Sequence, residues 1–124
     1  MNKNDTTTYF PFELIDNRES EWSDTRISFN NWDWFKETHK CDSIDDYYIN
    51  GYGIQGLVLA ARLASGLPAY SDSMDPNSEG NTCFLIFEDH AEALETAKLA
   101  SAMITDKDKM RELVIIANDN GFSE

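Results

Sequence analysis

Basic side chains are scarce in this sequence. Ten Lys and Arg stand against 23 Asp and Glu, giving a formal net charge of −13 and a sequence pI near 4.3. Between Leu63 and Ala97 the deficit is total: that stretch carries Asp72, Asp75, Glu79, Glu88, Asp89, Glu92 and Glu95 but no Lys or Arg. Direct binding of nucleic acid needs a basic footprint against the phosphates, and anionic lipid is repelled by the same field. Neither a nucleic acid nor a membrane is therefore expected as a direct partner. Cysteine is equally sparse. Cys41 and Cys83 are too few for a disulfide scaffold and too far apart for a metal-ligand pair, so two reduced thiols and a cytoplasmic address are expected. No run reaches the roughly 18 apolar residues of a membrane span, and the polar opening MNKNDTTTYF lacks the apolar run of a signal peptide.

What the chain does have is enough apolar matter for one core. Its 124 residues are 41% hydrophobic and 12% aromatic, the size and composition of a single domain. Residues 1–8 read as a flexible polar start, and 9–124 as that domain. Tyr9 to Ile15 has strand-like content, with Pro11 confining it to an edge or a bulge. Arg26 to Asn30 alternates Ile27 and Phe29 with polar neighbours, as a half-buried strand does. The NWDWF run that follows extends this strand or turns into a short helix; its pattern fits both.

Helical spacing is clear over NGYGIQGLVLAARLASGL, where Ile54, Leu57, Val58 and Ala61 fall on one face and Gly66 marks the end. Gly53 and Gly56 either lead into this helix or allow close packing beneath it. Leu67 to Asn81 is broken by Pro68, Pro76 and Gly80 and reads as a loop, with a weak strand at Leu67 to Tyr70. Thr82 to Glu88 (TCFLIFE) is nearly all apolar, the pattern of a strand central to its sheet. Asp89 with Glu92 three positions on forms a capping box for a helix carrying Ala93, Leu94, Ala97, Ala100 and Ile104. Thr105 or Asp106 caps a last helix with Met110, Leu113, Val114 and Ala117, stopped at Asn120-Gly121. Strands, helix, strand and two helices predict an α+β fold: a small mixed or antiparallel sheet with about three helices on one face.

Catalytic chemistry is hard to find. His39 and Cys41 lie one residue apart and match no zinc spacing; His90 sits beside a helix cap. The segment DSMDPNSEG, with Asp72, Asp75, Asn77 and Glu79, lacks the alternating ligands and terminal Glu of a calcium loop. NGYGIQG has neither a G-K-S/T ending nor G-x-G-x-x-G spacing, so it is no phosphate loop. No catalytic, cofactor-binding or metal-binding residue is assigned, and the chain is not expected to be an enzyme.

The glycine-aromatic turn at Asn50, Gly51 and Tyr52 before a helix, the Ser78-Glu79-Gly80 turn before an apolar strand, and the closing helix pair resemble the immunity protein 51 family over roughly residues 26 to 122. The resemblance implies a small cytoplasmic antidote of a bacterial polymorphic-toxin or contact-dependent inhibition system, acting by stoichiometric occlusion of a cognate toxin domain. It implies no catalytic residues. Many such toxins are nucleases with basic active sites, which an acidic inhibitor matches, and an opposite field raises association rates by roughly 10- to 1000-fold. Interface anchors favour aromatics within a charged rim. The candidate partner-binding set is Trp32, Trp34, Tyr47, Tyr48 and Tyr70 with Asp42, Asp45, Asp46, Asp72, Asp75 and Glu79, and Asp45-Asp46-Tyr47-Tyr48 is its centre. The alternatives are a non-catalytic cytoplasmic adaptor and an acidic-loop module that binds a ligand or calcium.

Overall fold

The computed structural model describes residues 3–122. Along the chain run β1 (Lys3–Asp5), β2 (Glu13–Asn17), β3 (Asp24–Phe29), α1 (Trp32–His39), β4 (Ser43–Ile44), β5 (Tyr47–Tyr48), α2 (Gly51–Ala64), β6 (Met74–Pro76), β7 (Cys83–Phe87), α3 (His90–Ile104) and α4 (Lys107–Asn120). Five strands pair antiparallel in the order β1-β2-β3-β7-β6, and β4 and β5 form a separate hairpin. The expected α+β fold is present, with a wholly antiparallel main sheet and four helices.

Side-chain alternation sets the two faces of this sheet. Thr25, Ile27 and Phe29 on β3 pair with Phe87, Leu85 and Cys83 on β7, and all six are buried. The helices cover this face; His90 at the start of α3, for one, meets Thr25 through Nδ1 and Oγ1 at 2.8 Å. The residues between them, Arg26 and Ser28 on β3 and Phe84 and Ile86 on β7, are only half-buried. So β7 is interior to its sheet, as its apolar run predicts, yet only one of its faces is covered.

Local signals place the helices. Asn50 caps α2 by accepting from the Gly53 N–H at 2.8 Å, Asp89 caps α3 through the Glu92 N–H, and Asp106 caps α4 through the Asp108 and Lys109 N–H groups. Gly121, at φ 69°, ends α4 in the left-handed region that glycine tolerates. Ile54, Leu57, Val58 and Ala61 of α2 are buried, as are Met110, Leu113, Val114 and Ala117 of α4. The three glycines of α2 belong to the helix itself and let backbone come close. A Cβ on Gly51 would overlap the carbonyl oxygens of Glu79 and Thr82, and one on Gly56 would overlap the Tyr47 hydroxyl and the Phe122 carbonyl.

Three local expectations are corrected, and one left open, the NWDWF run, is decided. The polar start contains edge strand β1, with Asn4 donating to Glu13 and Asp5 accepting from the Thr7 and Thr8 N–H groups; residues 1 and 2 lie outside the described residues. The Thr8 side chain first, then the Thr8 and Thr7 N–H groups, hold the Asp5 carboxyl down to about 2. The strand expected from Tyr9 begins only at Glu13, after Pro11. NWDWF opens helix α1, because Asn31 caps it by accepting from the Trp34 N–H. The strand expected at 67–70 is absent, and β6 lies at Met74–Pro76 instead.

A buried arginine ties these layers together. Arg62 is 1% exposed and donates to Glu92 at 2.7 Å, to Thr96 at 2.6 Å and to the carbonyls of Pro68 and Ala69. Ser73 donates to the second Glu92 oxygen. Burial opposes ionisation of Glu92, but the Ser71 and Ser73 hydroxyls and the Arg62 guanidinium outweigh it and hold the carboxyl below its ordinary value. The 67–73 loop is thereby clasped to α2 and α3.

Candidate functional site

The site grows from the hairpin β4–β5. Ser43 pairs with Tyr48 and Ile44 with Tyr47, leaving Asp45 and Asp46 as a two-residue turn at φ 50° and 68°. Positive φ at both positions is the geometry of a type I′ turn, which Asp tolerates better than most residues. Strand alternation then sends the two tyrosines opposite ways. Tyr48 points out and is 64% exposed. Tyr47 is corrected as a partner-binding residue: it lies in the core, 3% exposed, and its hydroxyl donates to the Gly53 carbonyl at 2.6 Å. Burial pushes that hydroxyl's pKa well above its ordinary value.

Beside Tyr48 the hairpin, α1 and the 79–82 turn enclose a cleft of about 300 Å³. Trp32 and Phe35 form one wall, Tyr48 and Ile49 another, and Gly80 and Asn81 a third, with Asp42, Lys36, Cys41 and Asn50 completing the lining. Two hydrogen bonds fix the turn in place: Trp32 Nε1 donates to the Asn81 carbonyl at 2.7 Å, and the Gly51 N–H donates to the Gly80 carbonyl at 3.0 Å. Glu79 and Thr82 close that turn through paired backbone bonds.

Of the expected set, Trp32, Asp42 and Tyr48 converge on this cleft; Glu79 adjoins it, and Asp45 and Asp46 project at the hairpin tip. All four of those acids are exposed, and none joins the four ion pairs found among the described residues. Trp34 does not line the cleft. It sits half-buried, edge-on to Phe10 at 5.7 Å and to His39 at 5.8 Å. Tyr70, 54% exposed, leans on Phe122, while Asp72 and Asp75 are exposed in the loop and strand beyond. The 79–82 turn belongs to the cleft through a contact 49 residues from Trp32, and no local pattern signals it.

One histidine and one thiol are taken up by the core. His39 is buried with its Nε2 2.7 Å from the Ile104 carbonyl, and the Cys83 thiol, fully buried, is pushed up to about 12. Among the described residues no three His, Cys, Asp or Glu side chains converge as metal ligands do, and no helix is long and apolar enough to cross a membrane. The cleft can receive an apolar or aromatic side chain between Trp32 and Tyr48, and its acidic surroundings attract cationic surface. No protein-family model, curated protein or solved structure matches the chain.

Proposed function

We propose that this chain is a non-catalytic binding protein that neutralises a cognate toxin domain by occlusion, acting in the cytoplasm as an immunity protein does. One observation carries the reading. An exposed aromatic, Tyr48, stands at the mouth of a Trp32-walled cleft, with the unpaired carboxylates of Asp42, Asp45, Asp46 and Glu79 around it. That is the anatomy of a protein interface: an aromatic anchor inside a charged rim. The sign of the rim selects a basic partner, such as the phosphate-binding site of a nuclease. The resemblance of the Asn50-Gly51-Tyr52 and Ser78-Glu79-Gly80 turns to the immunity protein 51 family points to the same role.

The hairpin allows a clean test. Asn-Gly is the sequence a type I′ turn prefers, so Asp45→Asn with Asp46→Gly removes two charges without straining the turn. Association with the toxin domain encoded beside this chain's gene should slow by about 3-fold or more at low salt. The difference from wild type should shrink as salt rises. Association rates that ignore both the substitution and the salt would remove the electrostatic basis of the reading.

A further inference from the structure

We propose that the uncovered face of the five-stranded sheet, centred on a Trp22–Arg26–Phe84 stack, is the surface on which the basic partner protein docks. The proposal rests on the reading above and extends it to a second surface. The face is the side of β2, β3 and β7 that the helices leave free, where Ile15, Arg26 and Ile86 align in register across three strands. Arg26 lies 5.9 Å from the Trp22 ring and 5.8 Å from the Phe84 ring, and it is held flat by two bonds to Asp24, at 3.0 and 3.1 Å. Trp22 itself is 66% exposed. A fixed Arg between two aromatics is a preorganised anchor, which binds without first losing side-chain freedom.

Charge identifies the occupant. The cation at the centre of this face, Arg26, is already neutralised by Asp24. Glu13 and Asp75 lie on it, opposite Ser28 and Ile86, with Glu88 two residues beyond Ile86, and none joins the ion pairs found among the described residues. An apolar centre inside an acidic rim repels phosphate and anionic lipid and matches a basic protein surface. The partner lies on the face and does not add a strand at the β6 edge. Ser73 and Asn77 turn their backbone groups toward β7, so the backbone groups of Met74 and Pro76 point away from it. The Met74 N–H is already bonded to Ser71, and Pro76 has none to offer.

This face and the cleft meet at one turn. Gly80 and Asn81 line the cleft, while Glu79 and Thr82 line a depression of about 310 Å³ beside Phe84. One partner surface can straddle the turn and touch both. The hairpin acids then act on the encounter, and the sheet face on the lifetime of the complex.

The test compares Kd and dissociation rate for wild type, Trp22→Ala and Ser28→Arg against the toxin domain encoded beside the gene, with thermal melting of each variant alone. Ser28 lies on the same face, across from Glu13 and Phe84, and the substitution adds bulk and a positive charge there. Both variants should raise Kd at least about 30-fold, mainly through faster dissociation, with melting close to wild type. Wild-type-like binding by both variants would overturn the docking face while leaving the inhibitory reading intact. Failure of the wild type itself to bind would overturn the reading, and this inference with it.

Discussion

Replacing Gly51 by Ala should destabilise the protein, although a helical Gly→Ala change ordinarily stabilises by about 0.5–1 kcal/mol. Gly51 is the first residue of α2, where the gain in helix propensity is smallest. A Cβ there overlaps two backbone carbonyl oxygens, of Glu79 and Thr82, and backbone cannot step aside as a flexible side chain can. Relieving the overlap costs about 1–3 kcal/mol, and moving the turn weakens the Gly51–Gly80 hydrogen bond, worth about 1 kcal/mol. The net expectation is a loss of about 2–3 kcal/mol. For 124 residues the unfolding entropy is about 260 cal/mol/K, so the midpoint should fall by about 8–12 °C. Urea denaturation and thermal melting read both numbers. Gly80→Ala is the control, because nothing lies within 4 Å of a Cβ there, and it should stay within about 0.5 kcal/mol of wild type. A neutral or stabilised Gly51→Ala would mean the 79–82 turn is not seated on α2, and the cleft wall would lose its basis.

Other consequences are equally direct. Leu85→Ala, at a fully buried position on an interior strand, should cost about 2–5 kcal/mol by denaturant titration; a change below about 1 kcal/mol would contradict the packing of β7. Glu92→Ala leaves the buried Arg62 without its carboxylate and should cost about 3 kcal/mol. Because the Glu92 carboxyl titrates lower in the folded chain than its ordinary 4.5, its stabilisation is complete above that pH and is lost as pH falls through the folded value. Glu92→Gln should flatten this part of the stability–pH curve, and an unchanged slope below pH 4.5 would exclude the clasp as its source. With the Cys83 thiol buried and pushed up to about 12, a thiol reagent at pH 8 should label Cys41 alone in the native protein. Rapid labelling of both would show that β7 opens.

Much of the helical architecture is legible in the sequence because its signals are local. Asp89, Asp106 and Gly121 occupy the cap positions that the apolar period implies, and the buried faces of α2 and α4 follow their spacing. The failures are non-local. β1 and β6 are three residues each, too short to show a period, and they are strands only because β2 and β7 offer them backbone partners. Glu92 looks like the return half of a capping box, yet its carboxylate is taken by Arg62, 30 residues away. CFLIF reads as buried on both sides, whereas Phe84 and Ile86 lie on a face no helix reaches. Tyr47 and Tyr48 are identical neighbours, and only the Asp45-Asp46 turn decides which one enters the core. A two-residue acidic turn between Ile44 and Tyr47 could have revealed that split, since residues equidistant from such a turn share one face.

Whether this acidic chain binds and silences a toxin can be read in a growth assay. A bacterial host would express the toxin domain encoded beside this chain's gene, with or without this chain, and an unrelated toxin as control. Rescue from the first toxin alone and recovery of a one-to-one complex on purification are expected. Growth arrest that persists in its presence, with no complex formed even at low salt, would contradict it.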